Sequence, residues 1–444
     1  MSRKFHYRLL SSWREVALGA IAIAFAIAAP PSAQSQASPG IDSEPASQSA
    51  NSSNVEALVT EAMAQSPLIA AARNHWSAQE KVPRQVSTLP DPELALQHFT
   101  VGSPQPFSGY ETSDFYYTGF GATQEIPGPG KLGLRARQAE RDAEFASAQY
   151  EAARRGVAEK VREAYFNLFY LGKASALLVR NRAELDRIER ITEDGYRLGR
   201  GNQQDVTKAQ LQLTAMLREL EMNREQIDEQ QADLKAIIGR ETDSRDIAIG
   251  EITPSAFQLD AARIRAMAAA RSPALRMAQA MASRSDESLA LARRDYIPDF
   301  SVGYMYQKTG PRTRDYYMLS LGAKIPLYFW RKQTPAVEQA ALEKQAAMEQ
   351  VRAARLDAAS GVERQIVAIR TADRIITLYR DGLIPQSAAT RAAAYAAYGS
   401  AKVDFQTLLS AVIDVLNLNQ EYFRAIADRE IAIAKLKEII GDQS

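Results

Sequence analysis

The sequence of 444 residues contains no cysteine. Disulfides, thiol redox chemistry, thiolate zinc sites and a lipid-bearing N-terminal cysteine are therefore excluded. Histidine is almost as scarce. Beyond His6 near the start only His75 and His98 remain, without spaced partners, so a histidine metal site has no support. A formal net charge of +1 leaves no basic excess for nucleic acid. A phosphate-binding glycine loop, a nucleophile elbow, and a His–carboxylate or paired-carboxylate constellation are all missing, so the reading is of a protein that is not an enzyme and holds no cofactor. After the first segment no stretch approaches the roughly 20 apolar residues of a spanning helix. A membrane crossing, if there is one, must be made by strands.

Proline is absent between Pro129 and Pro254 and again after Pro385. What fills those gaps is rich in Ala, Gln, Arg, Glu and Leu, the composition of long helices. The chain opens differently. Arg3, Lys4, Arg8 and Arg14 precede an apolar run from Val16 to Ala29, and Ser35-Gln36-Ala37 offers a cleavage site. Residues 1–37 read as a signal peptide, with a short anchor helix as the alternative. Residues 38–54, rich in Ser, Ala, Gln, Pro and Asn, read as a flexible leader.

From there the chain repeats itself, with residues 55–255 and 256–444 as the two copies. Gln65-Ser66-Pro67-Leu68 matches Arg271-Ser272-Pro273-Ala274, and Leu89-Pro90-Asp91-Pro92 matches Ile297-Pro298-Asp299-Phe300. Tyr116-Tyr117 matches Tyr316-Tyr317, Ile126-Pro127 matches Ile325-Pro326, and Lys235 to Gly239 matches Lys437 to Gly441. The order is kept throughout and the offset is nearly constant.

Each copy predicts two strands, at about 93–101 and 115–126, then at about 300–307 and 317–325. Phe300, Val302, Tyr304 and Tyr306 alternate with Ser301, Gly303 and Gln307; Tyr317, Leu319, Leu321, Ala323 and Ile325 alternate with Ser320, Gly322 and Lys324. A period of two with one apolar and one wet side is a strand signature. Each copy also predicts two long helices, at about 129–194 and 203–238, then at about 332–394 and 405–440, with Pro129 in a helix start and Pro385 as a kink. The first would extend roughly 100 Å at about 1.5 Å per residue. Val157, Ala164, Leu171, Leu178 and Leu185 recur every seven residues, as do Val206, Leu213, Leu220, Ile227 and Leu234, and Val412, Ile426, Ile433 and Ile440 keep the register. Such repeats imply supercoiled packing. The charge runs Arg180 to Arg190 and Glu219 to Glu229 read as wet helix faces.

Glycines mark the hairpin tips: Tyr196-Arg197-Leu198-Gly199-Arg200-Gly201-Asn202, and later Tyr398-Gly399-Ser400-Ala401-Lys402, each able to end a helix through a positive φ. Asp205 and Asp404 stand near the first turns of the returning helices, as caps or tip contacts. Four strands are too few to close a membrane barrel, which needs about eight. Three copies would pool about 12 strands and bring their long helices together as a tube.

In these motifs the chain resembles the TolC-type outer-membrane factors of tripartite efflux systems over 55–441. The carrying residues are Gln124-Glu125-Ile126-Pro127 with Gly130-Lys131, Tyr196 and Gly199 with Asp205-Val206, Tyr379 to Gln386, and Tyr398-Gly399 with Val403-Asp404-Phe405. The resemblance implies a mainly helical chain with a membrane β-barrel contribution: a duplicated helix–strand–strand–helix unit, four strands per chain in a trimeric barrel, and coiled-coil helices forming a trimeric α-barrel tunnel. It implies a cell outer membrane location reaching into the periplasm, with outer-membrane lipid around the barrel. It further implies a homotrimer, a periplasmic membrane-fusion adaptor at Tyr196, Arg197, Leu198, Gly199, Arg200, Tyr398, Gly399 and Ser400, and an inner-membrane pump reached through the adaptor. Cargo would be small toxic compounds or metal cations, the latter in the heavy-metal and cation-efflux branch. A type I protein-secretion duct and a soluble periplasmic coiled-coil scaffold or adaptor are the alternatives. Asp404 is the candidate periplasmic gate, in competition with a helix cap; Phe405 and Leu408 stand where some members of the family carry paired gate aspartates.

Overall fold

The computed structural model describes residues 54–100, 116–199, 201–252, 254–255, 257, 260–309, 313–400 and 402–441. The signal peptide, most of the leader, Val101, Phe115 and Arg200 lie outside the described residues.

The two copies open alike. Helices α1 (Val55–Gln65) and α2 (Pro67–Gln79) meet at Ser66, and α6 (Ala261–Arg271) and α7 (Pro273–Arg294) meet at Ser272. Both serines are extended, at φ −63°, ψ 122° and φ −59°, ψ 124°. A residue before proline is pushed from the helical region, and proline is well suited to the first turn of the next helix, so Ser-Pro becomes a joint rather than a break. The first copy adds a short α3 (Val82–Ser87) where α7 runs on.

Strands β1 (Glu93–Thr100), β2 (Tyr116–Ile126), β3 (Asp299–Thr309) and β4 (Tyr316–Lys324) form one antiparallel sheet in the order β1-β2-β3-β4. The halves of the chain thus join at β2–β3, with Ile126 opposite Phe300 and Ala122 opposite Tyr304.

Long helices follow each strand pair: α4 (Lys131–Arg197) and α5 (Gln203–Ile238), then α8 (Gln333–Leu378), α9 (Ile384–Gly399) and α10 (Phe405–Ile440). Helix α4 begins at Lys131, later than the proline pattern predicts. Pro129 instead occupies a tight turn, in which Gly130 takes φ +83° and the Lys131 N–H donates to Gly128 O at 3.1 Å. Only glycine enters that region cheaply after such a proline. Helix α4 also runs past the predicted end at 194. The predicted 332–394 helix is two helices joined by a π turn at Tyr379–Leu383, and the second runs to Gly399.

The seven-residue repeat of α4 is its core stripe: Val157, Ala164, Leu171, Leu178 and Leu185 are all buried, as are Val412, Ile426, Ile433 and Ile440 of α10. On α5 the predicted stripe is half-buried at Val206, Leu213, Leu220 and Ile227 and fully buried at Leu234, with Leu213, Leu220 and Ile227 packed against the core clusters. A second set of the same period, Ala209, Met216 and Asn223, is buried beside it, because the neighbouring helices, which the period does not contain, decide how wide the inward face is. Leu168, Val161, Ala427 and Ile431 lie in one cluster with Leu58 and Ile69, so the short helices of the first half are fixed to α4 and α10. Each fully buried Leu or Ile contributes about 1.5–3 kcal/mol.

Candidate functional site

The sheet divides by face. Pairing puts Leu94, Leu96, Phe120, Ala122, Val302, Tyr304, Leu319 and Leu321 on one side. Leu94, Leu96, Phe120, Leu319 and Leu321 are each more than half exposed. The other side carries Gln97, Thr123, Ser301, Gly303, Ser320 and Gly322. At two points it is packed too closely for any side chain: a Cβ on Gly303 would fall on the Ser320 hydroxyl, and one on Gly121 would lie 2.7 Å from Tyr304 O. A continuous exposed apolar face of this kind marks contact with lipid or another protein. Among the described residues β1 and β4 each lack a partner on their outer edge, and hydrocarbon does not tolerate such edges. Below β4, Leu327, Tyr328, Phe329 and Trp330 are all exposed, an amphipathic run of the type that lies at membrane interfaces.

Where sheet passes into helix, the halves are locked. Lys131 is buried, and its Nζ lies 2.9 Å from Asp299 Oδ1 and 3.5 Å from Asp295 Oδ1. The Gly128 N–H also donates to Asp299 Oδ1 at 2.7 Å.

At the far end of the helices the two hairpin tips pack together. Leu178, Leu185 and Ile188 of α4 share a cluster with Ala209 and Met216 of α5, Ala394 of α9, and Phe405, Leu408 and Leu409 of α10. The predicted tip residues divide within it. Tyr196, Leu198 and Arg197 are exposed, with Arg197 paired to Glu193 at 2.6 Å on its own helix. Gly199 takes φ +68° with open space around it, as a terminating glycine must. Tyr398 turns inward instead, its ring 6.3 Å from that of Phe405. Burial raises its phenol pKa, and the nearby Asp205 carboxylate adds to the shift. Gly399 and Ser400 are exposed. Gly399 does not take the positive φ expected of it; it is the last residue of α9, because Ser400 ends the helix by donating its hydroxyl to Ala396 O and Ala397 O, both at 3.1 Å.

Asp404 is the N-cap of α10. It accepts from the Thr407 hydroxyl at 2.5 Å and from the Thr407 N–H at 2.9 Å. Those two bonds hold its carboxyl below the usual range, with Lys208 assisting. Asp205 is not a cap: Asn202 caps α5, accepting from the Gln204 N–H. Phe405 and Leu408 are buried in the tip core, so no second carboxylate is paired with Asp404 at those positions.

A link between the hairpins escaped the sequence reading. Glu184 of α4 accepts from Arg391 Nη1 and from the Tyr395 hydroxyl of α9, both at 3.2 Å. Burial, with Glu184 adding to it, pushes the Tyr395 phenol up to about 12. Glu184 belongs to the charge run read as a wet face, which in fact contains buried Asn181, Leu185 and Ile188. Its position one residue before a core leucine of the heptad was the available signal. Among the described residues no group of three or more His, Cys, Asp or Glu is arranged to hold a metal ion, and no helix is long and apolar enough to cross a membrane.

The sequence pattern of outer membrane efflux proteins matches residues 58–240 and 264–442. No curated protein matches the chain. Among solved structures, the fold is similar to VceC of Vibrio cholerae, an outer membrane protein, at TM-score 0.72 and 15% identity, over 87% of this chain and 96% of that one. It is similar to the outer membrane channel CmeC of Campylobacter jejuni at TM-score 0.74 and 15% identity, over 87% and 85% of the two chains. It is also similar to CusC at TM-score 0.74 and 13% identity, over 87% and 91%.

Proposed function

The chain belongs to the outer membrane efflux protein family, and from that premise we propose that it is the passive exit duct of a tripartite efflux system. Its place is the outer membrane, with the helices extending into the periplasm. In the proposed assembly three copies pool their strands into one barrel of about 12, the even-numbered closure such barrels favour. The Leu94–Leu321 face then meets lipid and the Ser301–Gly303 face lines the lumen. The observation that carries this reading is the sheet itself: an exposed apolar face, an opposite face with Ser, Thr and Gly at its helix-proximal end, and, among the described residues, two open edges in one element.

The helices continue the lumen as a tunnel in this proposal, and the tips meet a periplasmic membrane-fusion adaptor that connects to an inner-membrane pump. Tyr196, Leu198 and Gly199, with Arg197 and Arg200, form one docking tip; Gly399 and Ser400, supported by the inward Tyr398, form the other. Asp404, fully exposed and kept ionised by Thr407, would supply one carboxylate per copy to a ring at the narrow end. Cargo is small toxic compounds or metal cations, and no step of the passage is catalytic. Membrane fractionation together with a susceptibility assay in a strain lacking the gene tests the proposal. Outer-membrane recovery with restored resistance is expected. Recovery wholly in the soluble periplasmic fraction would overturn it.

A further inference from the structure

The wet face of the sheet changes character along its length. Its charged side chains, Glu93, Glu125, Asp299 and Lys324, all fall in the rows nearest the helices. Farther out, among the described strand residues, that face carries no charge, and its next row is Ala95, Gly121, Met305 and Met318. The sequence has 10 methionines. Within the four strands only Met305 and Met318 occur, and they are direct cross-strand partners.

Core packing does not account for the pair. Met318 is 44% exposed and Met305 is half-buried, on the side opposite the Leu94–Leu321 face. Glycine makes the room around them: a Cβ on Gly119 would lie 3.1 Å from Met305 Sδ. Gln307, itself buried, donates its Nε2 amide to Met305 Sδ at 3.5 Å. That bond engages one lone pair of the sulfur and leaves the other.

We propose that Met305 and Met318 form a thioether site for a soft monovalent cation, Cu(I) or Ag(I), on the wet face of the sheet. A thioether is an uncharged, polarizable ligand: it suits soft cations and offers little to hard, hydrated ones. Directly opposed residues have Cβ atoms about 4.5–5.5 Å apart. Each Sδ stands two bonds farther out on a flexible chain, so both sulfurs reach one ion by side-chain rotation alone. Gln307 is a positioning residue, holding the Met305 sulfur in place. Two neutral ligands also suit a duct, where an ion must be held weakly enough to leave. As a stopping place for cargo the pair rests on the duct proposed above, with this face lining the lumen; as a binding site it stands on the geometry of a single chain.

Because the chain has no cysteine, Ag(I) can be titrated into the purified protein with no thiolate to capture it. Silver in chloride-free buffer is the probe, since it needs no reductant. Calorimetry should show one ion bound per chain. Met305→Leu and Met318→Leu nearly keep the volume and remove the sulfur. Each should weaken binding by about 10- to 100-fold or more, a loss that even an outer-shell partner of a metal can cause, and the double variant should abolish it. Met348→Leu removes an exposed thioether of α8 and should change nothing. A second measurement needs no variant: peroxide converts methionine to its sulfoxide, and peptide mass spectrometry should find Met305 and Met318, but not Met348, protected by silver. An isotherm unchanged in the double variant, an equal loss in Met348→Leu, or no protection of the pair overturns the site. Zn(II) binding that depends on the pair overturns its restriction to soft cations. Recovery in the soluble periplasmic fraction with silver binding intact would sink the duct and leave the site, whereas outer-membrane recovery without pair-dependent binding would do the reverse.

Discussion

Glu159 should make the fold more stable in mild acid than at pH 8. The residue lies on α4 beside a cavity of about 210 Å³ lined by Arg155, Arg162, Lys437 and Glu438. Burial raises its carboxyl from an ordinary 4.5 to about 7, and the Glu163 and Glu438 carboxylates add to the rise, against the opposing pull of Lys435. Lys435 is committed elsewhere, 2.9 Å from Glu163, so it does not fully neutralise the pair. A carboxyl whose folded-state pKa is raised binds its proton more tightly in the folded chain. Its contribution is fully present below about pH 4.5 and is lost as the pH rises through about 7. The full shift would correspond to about 3 kcal/mol. The side chain is only half-buried, and screening reduces this to ~1–2 kcal/mol. Thermal unfolding of the purified protein at pH 5 and pH 8, compared with Glu159→Gln, isolates the effect, because every other titrating group is common to both chains. The variant should melt higher than the parent at pH 8, and the gap should close at pH 5. Parallel melting curves at both pH values would refute the reasoning.

Gly199→Val places a β-branched residue at φ +68° and should cost about 1–2 kcal/mol locally, read as faster proteolysis at the first tip. Gly399→Ala, in open space within a helix end, should instead be neutral or stabilising by up to about 1 kcal/mol. Glu184→Gln and Tyr395→Phe each remove a side of the same link; a double-mutant cycle on tip stability should show coupling of about 0.5–3 kcal/mol, and strictly additive losses would show that the two hydrogen bonds act independently. Lys131→Met leaves a partly exposed Asp299 with one backbone donor in place of the ammonium and should destabilise by about 1–3 kcal/mol, visible as a lower denaturation midpoint.

Much of the architecture was legible because duplication repeats every signal. The strand alternation around Tyr304 and Leu319, the returning helices at 203–238 and 405–440, and the heptads of α4 and α10 all rest on local periodicity, which the structure preserves. The sites were harder, since they depend on which element lies alongside. Asp205 and Asp404 look alike in sequence, yet Asn202 has the geometry to cap α5, leaving Asp205 to face Tyr398. Gly199 and Gly399 look alike too, but one ends its helix by backbone conformation and the other is followed by a serine that does so through its hydroxyl. Glu184 was hidden in a charged run because nothing local reveals that a second hairpin passes beside it.

The difference between the first long helices of the two copies has one physical origin, in the second copy. Helix α4 runs unbroken for 67 residues, whereas its counterpart meets Pro385 one residue into α9. Proline has no N–H to donate, and its ring crowds the carbonyl four residues earlier, here that of Asp381. The backbone accommodates this by widening rather than breaking: the Ile384 N–H donates to Tyr379 O, five residues back. A π turn inserts one residue into the helical count, so the faces of α9 are out of phase with those of α8. Tyr379 fixes the position by donating its hydroxyl to Glu421 of α10 at 2.5 Å. The phase change matters for the tip. Arg391 and Tyr395, four apart and so on one face of α9, are set toward Glu184 by the widened turn above them, in a helix whose own heptad is too short to dictate it. The π turn at Pro385 thus changes the phase of the helix that carries Arg391 and Tyr395 to Glu184.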